Sequence, residues 1–380
     1  MNNYNFLLIL KLSFKTIFLN NYAQNFSLKR LVVLFLFIPT FLLIQLSNRI
    51  FLFLDNFFFR GYKKVEIKKP LFIVGIPRSG TTYIHNVISK NSSIFTTFSL
   101  WELIFAPSIC QKQIFHFFIK VDTLFGKPLT KVLNLIEKKA FKDINSMHKT
   151  TLSSPEEDFF LFTSIGACFL LIIPFPFKEI WDLGFFNSKI NPTSKIKILT
   201  FYKSMIKRHL YFYGQEKTYL SKNASFSPWV KDLLNFFPNS NYISCFRKPE
   251  ETIPSQLSIL AEGWKIFNNK FENEFFKDPI INIFENYYKE LIKLSKLKNQ
   301  NQFIVLKIQD IKLDFKLKIT NIFNTFNYEI PPEFETILDE EDQKNKNYKS
   351  SHNYKLDNFN ININDLKNRF QFVYKYFNNF

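Results

Sequence analysis

The sequence predicts an α/β fold, a parallel sheet with helices on both faces, preceded by an apolar helical region. Three observations carry this expectation. The short β-branched run Leu71 to Ile76 leads through a glycine-bounded loop into a helical stripe at Tyr83, Ile84, Val87 and Ile88. Further apolar runs of strand length recur at Tyr219 to Lys222, Tyr242 to Phe246 and Phe303 to Lys307, with helical patterns at 228–237 and from Pro249 between them. The most apolar windows, Leu31 to Leu46 and Ile50 to Phe59, precede all of these. With 380 residues the chain can bury one full α/β core. The expected organisation is an apolar region over 1–60 and a catalytic domain over 61–380.

Composition narrows the chemistry. The formal net charge is +18, yet the lysines are scattered, no nucleic-acid module is recognisable, and the joint excess of Phe, Ile, Lys, Asn and Tyr is what A/T-rich codon usage produces. No nucleic-acid partner is expected, although a positive field favours an anionic cosubstrate. Cys110, Cys168 and Cys245 are odd in number and contain no CxxC pair. That argues against a disulfide framework and a cysteine metal site, and it mildly favours a cytoplasmic compartment. The five histidines show no ligand spacing. No metal is expected.

The N-terminal residues suggest one short amphipathic helix through Phe6, Leu10, Phe14 and Ile17. The window from Leu31 to Leu46 falls short of the roughly 20 residues that span a bilayer and carries Pro39 in its middle. A membrane-dipping anchor, a single span and buried core helices all remain open. Basic residues on both flanks give no orientation.

In the stretch PLFIVGIPRSGTTYIHNVISKN, from Pro70 to Asn91, strand, loop and helix start follow one another. That geometry aims backbone N–H groups and a positive dipole end at one anion. Gly75 and Gly80 have the spacing of the triphosphate-binding motif and Thr82 takes its hydroxyl position, but Thr81 stands where the lysine belongs. The only fixed cation is Arg78. A donor with fewer contiguous phosphates than a nucleoside triphosphate suits such a loop better.

Downstream, Glu102 lies among apolar neighbours in LWELIFAP, so it is either a solvated helix residue or a general base whose pKa burial raises toward neutrality. Residues 108–145 suggest a lysine-rich helical insertion. Ser154 and Pro155, followed by Glu156, Glu157 and Asp158, read as a capped helix start. Arg247, closing a strand, and Ser255, in the following helix, lie at one rim of the sheet, where a guanidinium and a hydroxyl suit a phosphate monoester. Lys222, at another strand end, is either a solvated tip or a stabiliser of transferred oxygens. Asp339 to Asn347 reads as an exposed charged loop, and the tail from Ser350 as a loop and a terminal amphipathic helix.

The PRSGTT loop and the Arg-x7-Ser pair resemble the sulfotransferases that use 3′-phosphoadenosine 5′-phosphosulfate (PAPS), in their bacterial and tyrosylprotein branches. The resemblance covers roughly residues 65–380 and implies a P-loop-type parallel sheet. It also implies sulfuryl transfer from PAPS to a hydroxyl or amine without a metal. Arg78, Ser79, Gly80, Thr81 and Thr82 would hold the 5′-phosphosulfate, and Arg247 and Ser255 the 3′-phosphate. Glu102 matches the base of the tyrosylprotein branch. His148 and the pair His352 and Tyr354 match positions of the bacterial branch, with His148 an acceptor-side acid or base. Phe226 departs from the pattern, standing near a histidine found in many relatives. The resemblance does not specify the acceptor, expected to be a small molecule, lipid or glycan; the apolar N-terminal windows make a membrane location the expectation, with the catalytic domain on the cytoplasmic side or, in a Golgi-type arrangement, in the lumen. A kinase-like phosphotransferase, an inactive PAPS-binding protein, or a membrane-interaction protein in which the loop is merely a turn are the alternatives.

Overall fold

The computed structural model describes residues 4–18, 27–140, 151–267, 273–297, 301–347 and 356–377. Two N-terminal helices come first, α1 (Phe6–Phe18) and α2 (Leu28–Phe58). Strand β1 (Leu71–Gly75) leads into α3 (Thr81–Ile88), then β2 (Phe95–Thr96), α4 (Leu100–Phe105), α5 (Ile109–Leu124) and α6 (Pro128–Ala140). After two one-turn helices, α7 (Lys178–Trp181) and α8 (Phe186–Lys189), the long α9 (Pro192–Tyr213) returns the chain to β3 (Thr218–Lys222). There follow α10 (Val230–Phe236), β4 (Asn241–Phe246), α11 (Pro249–Ile266), α12 (Asn273–Leu297) and β5 (Phe303–Lys307). The helices α13 (Ile308–Leu313), α14 (Phe315–Phe326), α15 (Pro332–Asn347), α16 (Ile363–Arg369) and α17 (Gln371–Tyr376) complete the fold.

All strand pairs are parallel, and their order is β2-β3-β1-β4-β5. The fold class expected from the sequence is the one observed. Residues of β1 alternate between two cores, as a pleated strand buried on both faces must. Phe72 and Val74 join the core that contains α9, α11 and α12, while Leu71 and Ile73 join the one under α3, α14 and α15. From β1 the chain passes to the edge strand β2, returns to β3 beside β1, and then crosses to β4 on the other side of β1. A crevice therefore opens at the carboxyl end of β1, where open α/β sheets take ligands. Gly75 is required there, because a Cβ would lie 2.4 Å from the Cys245 carbonyl oxygen.

Three expectations about local structure are corrected. The two apolar windows form one continuous 31-residue helix through Pro39. The lost backbone bond is outweighed by a stripe of contacts to the domain, including Leu34 and Ile38 beside Phe267. Ser154 does not open a helix. Pro155 bridges Ser99, and a 3₁₀ segment starts at Asp158, whose buried carboxylate accepts from Tyr202 and from Tyr219 (2.9 Å). Asp339 to Asn347 is the end of α15, held because Leu338 and Glu341 face inward, with Glu341 accepting from Tyr83 and Lys90 at 3.1 Å each. The helical reading of 108–145 is met by α5 and α6 as far as Ala140. His148, His352 and Tyr354 lie outside the described residues.

Candidate active site

The loop between β1 and α3 is built by backbone geometry that few sequences tolerate. Gly80 sits at φ +92° and precedes the helix with no side chain to cap it, so the first amides of α3 open toward the loop. Arg78 is itself left-handed, at φ +70°. For a non-glycine residue that conformation costs about 1–2 kcal/mol, and such strain is typically held in place at ligand sites.

The residues expected to bind two separate anions meet. Arg78 Nε donates to Ser255 Oγ at 3.0 Å, and Arg247 Nη1 donates to the Arg78 carbonyl at 3.2 Å. Arg247 is further steadied by Glu251, 2.7 Å from its Nε, and its carbonyl accepts from Tyr288. Thr81 is buried and Thr82 half-buried at the start of α3. Ser79 is fully buried, and its Oγ has no hydrogen-bond partner. An unpaired hydroxyl in a loop of this kind fits a ligand with acceptor oxygens, since burying it alone costs about 1–3 kcal/mol. This loop and its two arginines fit a bis-anionic nucleotide such as PAPS.

Beside the loop stands a lysine–carboxylate cluster. Lys222, at the end of β3, is buried and meets Glu157 at 2.6 Å and Glu156 at 3.6 Å. Burial raises the pKa of Glu157 above the ordinary carboxylate range, against the pull of Lys222 and then of Arg78. His85, on α3, is buried, touches Thr97 at 2.9 Å, and is held well below its usual pKa by burial and then by Lys222. It is therefore neutral. Asp158 is raised to about 6 by burial, against the hydrogen bonds from Ser221, Tyr202 and Tyr219.

The surroundings of Glu102 differ from those expected. It is the third residue of α4, and its Oε2 accepts from the Ser99 amide at 2.8 Å and the Ser99 hydroxyl at 2.7 Å, while Oε1 meets Lys112 Nζ at 2.8 Å. Although burial alone would raise it, Lys112 leads the interactions that bring its pKa down to about 2. A carboxylate so satisfied is a poor proton acceptor, and the raised pKa expected from its apolar neighbours is not found. Phe226, near the position of a histidine in many relatives, is buried among Phe162, Tyr202 and Trp229. A candidate that the sequence does not single out is Glu157, which reads there as a capping acid. Its signal was three adjacent acids, more than a helix start needs, ahead of an apolar segment.

Comparison with known proteins identifies the family and the fold. The sulfotransferase family matches residues 70–332. The omega-hydroxy-beta-dihydromenaquinone-9 sulfotransferases Stf3 of Mycobacterium bovis and Mycobacterium tuberculosis are each 23% identical over 291 residues, covering 73% of this chain and 69% of theirs. In fold, the chain is similar to sulfotransferase STF1 of Mycobacterium tuberculosis, with a TM-score of 0.72 at 14% identity over 96% of this chain and 91% of that one. Sulfotransferase STF9 of Mycobacterium avium also gives a TM-score of 0.72, at 13% identity over 98% and 97% of the two chains.

Proposed function

The chain belongs to the sulfotransferase family, and from that premise we propose that it moves a sulfuryl group from PAPS to a hydroxyl, or an amine, of its acceptor. The observation that carries the reading is the junction of Arg78, Ser255 and Arg247 at the carboxyl rim of the sheet. A donor with anionic groups at both its 5′ and 3′ positions calls for two anchors in fixed register. Arg78, the Ser79 hydroxyl and the backbone from Gly80 to Thr82 would hold the 5′-phosphosulfate. Arg247 and Ser255 would hold the 3′-phosphate. PAPS, when bound, supplies the activated sulfuryl group and a phosphate leaving group.

The remaining work falls to the protein's own side chains. Lys222 offers fixed positive charge in a site shielded from water, where it acts more strongly than in solution. Glu157 takes the acceptor's proton, a role its raised proton affinity suits better than the low pKa of Glu102. Glu102 instead fixes α4 to α5. No metal enters this scheme. The place of a loop lysine is filled by Thr81, which argues against handling a γ-phosphoryl group as a kinase does.

The acceptor we favour is a membrane-borne alcohol. The Stf3 relatives carry a hydroxylated dihydromenaquinone in their names, and α2 is long and apolar enough to cross a membrane. The same helix supports membrane association, with the catalytic domain on the cytoplasmic side. Titration calorimetry with adenosine 3′,5′-bisphosphate, ATP with magnesium, and AMP tests the donor assignment. Tight binding of the bisphosphate alone is expected; preference for ATP, or binding of none of the three, overturns it.

A further inference from the structure

Large apolar side chains are exposed on this protein in an uneven way. Among the described residues, those C-terminal to position 135 are only Ile196, Ile266, Leu313, Leu317 and Ile363. All the others lie on α1, α2, α5 and α6, in the turn after α5 or, for Phe105, at the end of α4. These helices are neighbours: α1 packs on α2, α2 on α5, and α5 on α6. Phe35 is 79% exposed, Phe58 71% and Phe118 55%, and aromatic pairs such as Phe14 with Phe18 and Phe53 with Phe57 stand on this side. A contiguous face of this kind is not what water selects.

Charge says what covers it. Every exposed charged side chain described on these four helices is basic, namely Lys11, Lys29, Arg49, Lys120 and Lys131. The acids of the same helices are turned inward: Asp55 and Asp122 are buried, and Glu137 accepts from the Leu152 amide at 2.7 Å. Apolar side chains rimmed by cations match the acyl boundary and headgroups of an anionic leaflet.

The inner side of α2 decides its orientation. Arg30 Nη2 donates to the Thr16 carbonyl at 3.4 Å, Asn48 Nδ2 to the Ile104 carbonyl at 2.9 Å, and Gln111 Nε2 to Asn48 Oδ1 at 2.8 Å. Asp55 accepts from the amides of Ile109 and Cys110, at 3.0 Å each, and from Arg208 at 2.9 Å. These contacts recur from one end of the helix to the other. A crossing would break them and place Asn48 and Asp55 in hydrocarbon. We propose that α1, α2, α5 and α6 form one face that rests on an anionic leaflet, with α2 lying in the membrane plane rather than across it. This rests on the membrane association proposed above and fixes its geometry.

Flotation of the full-length protein with phosphatidylcholine vesicles, with and without phosphatidylglycerol, tests the face. Binding that needs the anionic lipid and weakens with salt is expected. The double variant Phe35→Glu, Phe53→Glu, altered only at exposed positions, should bind roughly tenfold more weakly or worse while keeping its affinity for adenosine 3′,5′-bisphosphate. No vesicle binding by the native protein overturns membrane association itself, and the bisphosphate titration then shows that the donor assignment stands separately. A dimer dissolved by the same variant, in place of vesicle binding, gives the face to a second copy and overturns the proposal. Orientation is read in expressing cells from Lys29→Cys and Arg60→Cys, at the two ends of α2. Both should react with a membrane-impermeant maleimide under the same condition, before or after the cells are opened. Opposite behaviour of the two ends means that α2 crosses, and the in-plane assignment falls.

Discussion

Two lysine–glutamate pairs flank the same sheet, and their differences show how environment assigns a role. Lys112 and Glu102 are sealed: their side chains are 0% and 3% exposed, and the glutamate also accepts twice from Ser99. Lys222 is as buried, but its partner Glu157 is 18% exposed, at the rim beside the phosphate-type loop. The first carboxylate is driven down to about 2 and the second is driven up. One pair is a strut between α4 and α5. The other is open enough to meet a substrate.

The sharpest test of that contrast is Glu157→Gln, expected to cut turnover by about 10²–10⁴, the usual worth of a general base, while bisphosphate affinity is kept. In the native enzyme the acidic limb of kcat should lie above the ordinary carboxylate range, and the variant should lose it. Full activity in Glu157→Gln would move the base elsewhere. Glu102→Gln should do the reverse. It strands a buried lysine, so a loss of about 3–5 kcal/mol in denaturant stability is expected, with kcat per folded molecule preserved. A catalytic defect in a stably folded Glu102→Gln would erase the distinction. Arg247→Ala should weaken adenosine 3′,5′-bisphosphate by about 1.5–3 kcal/mol, the scale of a hydrogen bond to a charged group, and leave AMP unaffected; calorimetry reads both.

The smallest expected effect is on the pH dependence of stability. Glu102, with its folded pKa near 2, stabilises the fold above its ordinary value of 4.5 and loses that contribution as pH falls from there toward 2. Asp158, raised to about 6, has the opposite sign: its contribution is complete below 3.8 and is lost as pH rises through 6. Thermal melts from pH 2 to 8 should therefore show the acid-side loss reduced in Glu102→Gln and the loss toward pH 6 reduced in Asp158→Asn.

Four strands were legible because continuous apolar, β-branched runs bounded by turns have few other uses. Strand β2 was not, since two residues show no period. The end of α15 was hidden by its charges, for among the described side chains only Phe334, Leu338 and Glu341 mark the buried side of a helix that otherwise looks solvated. At the site, glycine spacing and the Arg78, Arg247 and Ser255 positions could be read from the chain because they depend on strand ends. The role of Glu102 could not. Its apolar neighbours in sequence suggested a raised pKa, whereas Lys112, ten residues away, lowers it. Glu157 was masked by a helix-capping pattern that the structure does not use.

Asp55 has a consequence for anyone who wishes to trim this protein. Its carboxylate, reaching out of α2, closes the start of α5 through two amides and neutralises Arg208 within α9. A chain shortened to begin at residue 61 would look like a tidy catalytic fragment but would keep Arg208 and the bare end of α5 without their counter-charge. The apolar N-terminal segment is thus a keystone of the enzyme it appears merely to tether.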